Sequence, residues 1–139
     1  MTSRLQTRAA PMALVLFLCL ASAAQAHAPD KPPAERVAPG PTGDAVHGGQ
    51  LYQGCMGCHS LDENDVGPKH RGVVGRPAAS VPGYAYSKAL KASGITWTPA
   101  MLDKWLTNPQ VLVPGAKMYF SIAKPQDRAD IIAYLAKQK

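Results

Sequence analysis

The segment that most constrains this chain is Cys55-Met56-Gly57-Cys58-His59, in which two thiols lie three positions apart and an imidazole follows at once. This spacing is typical of covalent haem attachment. Each thiol can add to one vinyl group of a porphyrin, and the two-residue spacer lets both reach the same edge of the ring. The imidazole of His59 then lies beneath the iron as a strong fifth ligand. We therefore predict one haem c with its iron, bound through Cys55, Cys58 and His59.

Two other chemistries use paired cysteines, and the surrounding sequence disfavours both. A redox-active cysteine pair of the thioredoxin kind stands between a strand and a helix, a context that is missing around residues 52–60. Structural zinc takes four Cys or His ligands in two spaced pairs, and the sequence contains no second Cys pair. Haem attachment is the interpretation that remains.

The beginning of the chain has the pattern of a secretory signal. Arg4 and Arg8 precede the apolar run 12–24, which ends in a small-x-small cleavage site at residues 24–26. The run has about 13 residues, whereas a membrane-spanning helix needs ~20. We therefore predict a signal peptide at residues 1–26 that is cleaved, a periplasmic location and no permanent membrane span.

The next segment, residues 27–43, combines repeated prolines with almost no large apolar side chain. Such a composition cannot repay the entropy of folding, and we predict a flexible leader there. Residues 44–139 then form one domain, small enough that a buried haem would supply apolar volume that its core needs. The chain has a formal net charge of +6, and cleavage removes two arginines. This modest charge suits acidic protein partners or anionic membranes and is too weak to indicate nucleic-acid binding.

The apolar spacing predicts an all-α fold, with several helices and long loops around the haem. Asp44 is a candidate N-cap, and apolar residues recur behind it at helical spacing up to Cys55. Residues 59–81 are rich in Gly, Pro and polar turn residues, and no alternating pattern long enough for a strand occurs there, which predicts loop. A short helix is predicted over residues 87–93, where Gly94 stops it.

Two further helices complete the prediction. Thr98 and Pro99 form a cap followed by proline at the first helical position, and the helix ends at Asn108-Pro109. Pro125 opens the last helix. The predicted buried faces are Met101, Leu102, Trp105 and Leu106 in the first of these helices, and Ile131, Ile132, Tyr134 and Leu135 in the second.

The other side of the iron needs a sixth ligand. The candidates are Met56, Met101, Met118, His27, His47 and His70. Met118 follows an irregular Pro-Gly loop that could project a thioether towards a metal, and it is the residue we favour, with His70 in reserve. Coordination by Met and His raises the reduction potential and leaves no open site for a substrate. Such a centre transfers electrons and is not an enzyme.

With these residues in place, the sequence from about residue 44 to residue 137 resembles the class I cytochromes c, the monohaem electron carriers of mitochondria and bacteria. The landmarks are Gly48 and Tyr52, Cys55-Met56-Gly57-Cys58-His59, Gly67-Pro68, Gly72-Val73-Val74-Gly75-Arg76, Gly83-Tyr84-Ala85-Tyr86, Gly94-Ile95-Thr96-Trp97, Asn108-Pro109, Pro114-Gly115-Ala116-Lys117-Met118 and Ile131-Ile132-Ala133-Tyr134-Leu135.

The resemblance implies roles for residues around the haem. Pro68 would accept a hydrogen bond from the ring nitrogen of His59 that does not face the iron. Arg76, Tyr86 and Trp97 would hydrogen-bond or neutralise the haem propionates. Gly48 would mark a close crossing of the first and last helices against Tyr134.

The sequence also departs from the family pattern near the sixth ligand. Trp105 stands where relatives often have a tyrosine whose hydroxyl reaches the methionine sulfur. Ala116 replaces a frequent threonine, and Leu90 a frequent asparagine, so we expect a drier interior near Met118. Gly54 and Gln110 occupy positions where relatives carry lysines around the exposed haem edge.

We expect a periplasmic, monomeric one-electron carrier between redox proteins such as respiratory complexes, an oxidase or a periplasmic dehydrogenase. Lys69, Lys117 and Lys124 are candidate docking charges, although plain solubilising charges are an equal interpretation. The alternatives are a gas-binding or peroxidase-like haem protein that acts when Met118 leaves the iron, and a dedicated cytochrome subunit of a periplasmic dehydrogenase.

Overall fold

A computed structural model describes residues 41–139 of the chain. The predicted signal peptide and most of the predicted leader lie outside these residues. The helices of the described part are α1 (Ala45–Leu51), a 3₁₀ turn (Tyr52–Gly54), α2 (Lys88–Ala92), α3 (Pro99–Thr107), α4 (Pro109–Leu112) and α5 (Pro125–Lys137). Apart from an isolated bridge between Pro77 and Thr96, residues 41–139 contain no β-structure, which confirms the all-α prediction.

Helix α1 begins at the predicted cap and delivers the chain to the cysteine motif. The Asp44 carboxylate accepts hydrogen bonds from the backbone nitrogens of Val46, at 2.8 Å, and His47, at 3.3 Å. These bonds satisfy two of the amides that a helix start leaves unpaired. The 3₁₀ turn then tightens the chain as far as Cys55.

Helices α3 and α4 meet at an extended residue. Thr98 caps α3 through the backbone nitrogen of Met101, at 3.2 Å, and the helix ends because Asn108 precedes a proline and is extended. Asn108 then caps a second helix, since its side chain accepts from the backbone nitrogens of Gln110 and Val111. Helix α3 ends where the sequence predicts, at Asn108-Pro109, whereas the short helix α4 was not predicted.

The first and last helices pack together at Gly48. A Cβ atom at this position would overlap the carbonyl oxygen of Asp130, so the two backbones come as close as the chain allows. Tyr134, the predicted neighbour, has its ring beside the adjacent Gly49. The crossing itself is as expected. The atoms nearest to Gly48 belong to Asp130, one helical turn before Tyr134 in α5.

Ahead of α1, Thr42 and Gly43 already contact α5. The Thr42 carbonyl oxygen accepts from Gln126 Nε2 at 3.0 Å, and Gly43 lies close to the backbone of Ala129. Contact with the last helix therefore starts before Asp44.

A buried arginine fixes the segment that enters α5. The Arg128 side chain is about nine-tenths buried and donates through Nε to Asp103, at 2.7 Å, and through Nη1 to the carbonyl oxygens of Ile122 and Ala123, both at 3.0 Å. It thereby joins α3, α5 and the loop that follows Met118.

The buried core connects these helices to the long loops. Its members are Tyr52, Val73, Leu90, Trp97, Leu102, Trp105, Leu106, Val113, Ala116, Ile131, Ile132 and Leu135. Of the two predicted helical faces, Met101 and Tyr134 are only partly buried and the other members are in the core. Within residues 41–139, no helix has the length and apolar character that crossing a bilayer requires.

Candidate haem site

An apolar cavity of about 420 Å³ lies inside this framework. Its wall contains residues from the cysteine motif, from the loop at residues 59–81, from α3 and from the segment around Met118. Among them are all the side chains predicted to surround the haem: Cys55, Cys58, His59, Pro68, Arg76, Tyr86, Trp97, Trp105 and Met118. Residues spread over more than sixty positions of sequence are thus gathered around one space.

The two thiols lie on a single turn at the cavity wall. Backbone nitrogens of Cys58 and His59 donate to the Cys55 carbonyl oxygen, at 3.1 and 2.9 Å, and this bonding folds the motif tightly. Cys55 is half-buried, Cys58 is exposed, and neither is in a disulfide. Burial raises the pKa of the Cys55 thiol.

The His59 ring is held in one orientation. Its Nδ1 donates to the carbonyl oxygen of Pro68 at 2.7 Å, which leaves Nε2 without its proton and free to bind a metal. Desolvation lowers the pKa of His59 more than the Pro68 bond raises it, so the neutral imidazole is favoured. Gly67 packs directly on the ring, and any Cβ there would overlap it.

A second imidazole lies beside His59. The His70 ring stacks on it with centroids 3.9 Å apart and an angle of 20° between planes. The Tyr52 hydroxyl and His70 Nδ1 share a hydrogen bond of 3.0 Å, and desolvation lowers the pKa of His70 to about 3. His70, the reserve candidate for the sixth ligand, is therefore a neighbour of the predicted fifth ligand. Its pairing with Tyr52 was not predicted, since both residues looked independent in sequence.

Met118 follows a four-residue turn that closes between Val113 and Ala116. The Ala116 backbone nitrogen donates to the Val113 carbonyl oxygen at 3.0 Å, and Gly115 has a φ of 86°. Proline followed by a residue of positive φ is the pattern of a type II turn, so the predicted irregular loop has a defined geometry. The Pro-Gly pair was the sequence signal for it.

The sulfur of Met118 accepts a hydrogen bond from Trp105 Nε1 at 3.2 Å. Trp105 thus supplies from the indole the contact that relatives were expected to obtain from a tyrosine hydroxyl. The ring is packed against Trp97, with centroids 5.1 Å apart. Ala116 and Leu90 are both buried, in the same core cluster as Trp105.

The remaining candidates for the sixth ligand lie elsewhere. Met56 is half-exposed on the attachment turn, Met101 packs at the edge of the core, and His47 pairs with Asp130. His27 lies outside the described residues.

Arg76 brings a positive charge to the cavity wall. Its Nη1 and Nη2 donate to the carbonyl oxygens of Arg71 and Lys69, both at 2.8 Å. Both acceptors are uncharged carbonyl groups, so these hydrogen bonds do not balance the charge of the guanidinium. Burial lowers the pKa of Arg76, because desolvation penalises the charged form. Burial also raises the pKa of Tyr86, which keeps its hydroxyl protonated. Both groups fit a ligand that carries carboxylates.

One of the candidate docking lysines is engaged within the domain. Lys117 Nζ donates to the Ala85 carbonyl oxygen and lies 6.0 Å from the centre of the Tyr84 ring. Its charge therefore has a structural contact between two loops.

The donor set fits a covalently bound haem. An apolar cavity holds two unbonded thiols, a neutral imidazole with a free nitrogen and a thioether, and a cation suited to propionates stands at its wall. Zinc would need a different set, and residues 41–139 contain no cluster of three or more Cys, His, Asp or Glu side chains that could hold a metal ion.

Comparisons with known proteins identify the family to which the chain belongs. The family profile described as cytochrome c matches residues 45–139. Cytochrome c2 of Rhodomicrobium vannielii is 50% identical over 100 residues, which cover 69% of this chain and 80% of that protein. Cytochrome c2 of Rhodopila globiformis is 50% identical over 103 residues, covering 71% and 97%. The structure of cytochrome cH from Methylobacterium extorquens superimposes with a TM-score of 0.66 at 47% identity, over 68% of this chain and 98% of that one. The chain belongs to the cytochrome c family, whose members carry covalently attached haem c and transfer electrons without being enzymes.

Proposed function

We propose that this protein is a periplasmic one-electron carrier, in which Cys55 and Cys58 bind the haem covalently and His59 and Met118 are the two axial ligands of its iron. The bound haem supplies a single electron by cycling between the ferrous and ferric states. The observation that carries the proposal is that the thiols, the free Nε2 of His59 and the sulfur of Met118 all line one apolar cavity.

The ligand roles are supported by how each side chain is held. Pro68 orients His59 and keeps the proton on Nδ1, so the nitrogen that remains is a good donor to iron. Trp105 donates to the Met118 sulfur, and a thioether has a second lone pair for a metal. Both ligands are therefore oriented before they act, which keeps rearrangement during electron transfer small.

The other residues of the cavity exclude water and balance charge. Trp97, Leu102 and Leu135 give the wall its apolar character. Arg76 and Tyr86, with Trp97, are proposed to hold the propionates, because burying carboxylates without partners would be costly. A dry and fixed environment of this kind favours a stable six-coordinate centre.

Optical spectroscopy tests the axial ligands. The oxidised protein is expected to show the bands of a low-spin c-type haem together with the weak absorption at the red end that sulfur coordination produces. Met118→Ala should abolish that weak absorption, whereas Met101→Ala, which removes a methionine at the edge of the core, should retain it. An unchanged spectrum in Met118→Ala would overturn the assignment.

Carbon monoxide distinguishes an electron carrier from a gas-binding or peroxidase-like protein. The reduced protein is expected to bind the gas slowly or not at all at neutral pH, because Met118 occupies the iron and Trp105 holds its sulfur. Rapid binding would favour the alternative function.

The compartment and the partners need separate experiments. The mature protein is expected in the periplasmic fraction with a mass that lacks residues 1–26 and includes one haem. A mass that retains them would indicate a membrane-held carrier.

The redox partners of the protein are proposed to be respiratory complexes, an oxidase or a periplasmic dehydrogenase. Co-purification with a dehydrogenase in fixed stoichiometry would instead identify a dedicated subunit.

A further inference from the structure

The side chain of Gln110, at the start of α4, makes three hydrogen bonds to the backbone of residues 115–118, the Met118 segment. Its Nε2 donates to the carbonyl oxygens of Ala116 and Met118, both at 2.8 Å. Its Oε1 accepts from the backbone nitrogen of Gly115 at 3.2 Å. One amide therefore satisfies a donor and two acceptors of the backbone between residues 115 and 118.

The residues that precede Gln110 hold its backbone in place. Pro109, the residue before it, is among the most completely buried of the described residues, and Asn108 caps the helix through the backbone nitrogen of Gln110 itself at 3.0 Å. The position of Gln110 is thus fixed by α4 before its side chain reaches the loop.

The geometry points to Gln110 as a positioning residue that holds the Met118 segment closed, so that the sulfur stays at the metal. Trp105 restrains the sulfur and Gln110 restrains the backbone carbonyl of the same methionine, which places one contact at each end of the residue. This inference rests on the proposed function, because it takes Met118 to be an iron ligand.

The isosteric variant Gln110→Glu separates this role from simple packing. A carboxylate keeps the shape and the acceptor for Gly115, but it loses both donors and sets a negative charge against two carbonyl oxygens. Gln110→Ala loses all three bonds without that repulsion. The matched control is Gln126→Ala, since Gln126 bonds Thr42 and Asp130 in the contact between α5 and the start of the domain.

The measurement is the rate at which added imidazole binds the oxidised holoprotein at neutral pH. Imidazole can reach the iron only after Met118 has left it, so the rate reports opening of the segment. We expect an increase of about tenfold or more in Gln110→Glu and Gln110→Ala, equivalent to ~1.4 kcal/mol in the opening equilibrium. Gln126→Ala should bind imidazole at the wild-type rate, even if its unfolding midpoint falls.

Amide hydrogen exchange supplies a second readout that does not depend on the iron ligand. The Gly115 amide should lose protection in Gln110→Ala and retain more of it in Gln110→Glu, because the glutamate still offers an acceptor. Wild-type imidazole rates in both Gln110 variants, with folded holoprotein and the sulfur absorption present, would overturn the inference. Absence of the sulfur absorption in the wild type would instead overturn the ligand assignment in the proposed function.

Discussion

The indole nitrogen of Trp105 donates a hydrogen bond to the sulfur of Met118 at 3.2 Å. An indole can only donate, whereas a tyrosine hydroxyl can also accept, so this contact always withdraws electron density from the sulfur. With Met118 as the proposed iron ligand, a sulfur with less electron density would bind ferric iron less strongly, and the reduced state would be favoured.

Trp105→Phe removes this donor and keeps an aromatic ring in the core. We expect the midpoint potential to fall by about 20–40 mV, which corresponds to ~0.5–1 kcal/mol for a weak hydrogen bond in a one-electron couple. Potentiometric titration of the two holoproteins measures this difference in midpoint potential. A potential that is unchanged or higher would contradict the proposed effect of the bond.

The crossing of α1 and α5 allows a sharp test at Gly48. In Gly48→Ala the new methyl group would overlap the Asp130 carbonyl oxygen, and the helices would have to separate. We expect a loss of about 3 kcal/mol in the free energy of unfolding, measured with urea. Gly54→Ala is the control, because a Cβ at Gly54 meets no atom within 4 Å. Equal stability of the two variants would refute the close crossing.

The pair formed by His47 and Asp130 predicts a pH dependence of stability. His47 Nδ1 lies 2.7 Å from a carboxylate oxygen of Asp130, and this hydrogen bond is the main cause that raises the pKa of His47 above 6.5. The charges of Asp127 and Asp44 act in the same direction. The stabilisation from His47 is therefore complete below pH 6.5 and disappears as the pH rises through the raised pKa.

The carboxylate sets the acidic limit of the same effect. His47, the backbone nitrogen of Asp44 and Gln126 all lower the pKa of Asp130 below 3.8, so its contribution is present above that pH and is lost as the pH falls through the lowered pKa. His47→Gln keeps a polar side chain without the charge. The wild type should exceed this variant in unfolding free energy most clearly between about pH 4 and pH 6.5, and the difference should shrink in alkaline solution. A difference that grows with pH would be the opposite result.

Arg128 is expected to be sensitive to a conservative change. Arg128→Lys keeps the charge but cannot reach Asp103 and two carbonyl oxygens together, and we expect a loss of about 2 kcal/mol in the free energy of unfolding. Arg71→Lys serves as the control. Arg71 binds Asp62 with two hydrogen bonds at the exposed surface, where solvent screening leaves such a pair little effect on stability. Similar losses in thermal unfolding of both variants would contradict the structural role of Arg128.

The helices were predictable because their signals are local. Asp44, Thr98 and Pro125 mark helix starts through capping and backbone geometry alone, and the structure has helices behind each of them. Helix α4 was missed because four residues carry too little periodicity, although Asn108-Pro109 is as good a start as Thr98-Pro99.

The contacts of the site were harder to predict than its members. The cysteine motif and the Met118 segment could be read from spacing and resemblance. The bonds from Gln110 to the Met118 segment depend on how α4 is placed, which no local pattern encodes. In the same way, the stacking of His70 on His59 arises only when the loop at residues 59–81 folds back on the cysteine motif.

The packing of α1 on α5 also has a consequence for the order of events during synthesis. The partner of Gly48 is Asp130, more than seventy residues further along the chain, so this contact has to wait until α5 has been made. Cys55 and Cys58 emerge long before it. The thioether bonds can therefore form on an open polypeptide, and docking of α5 against α1 then closes the domain around the haem.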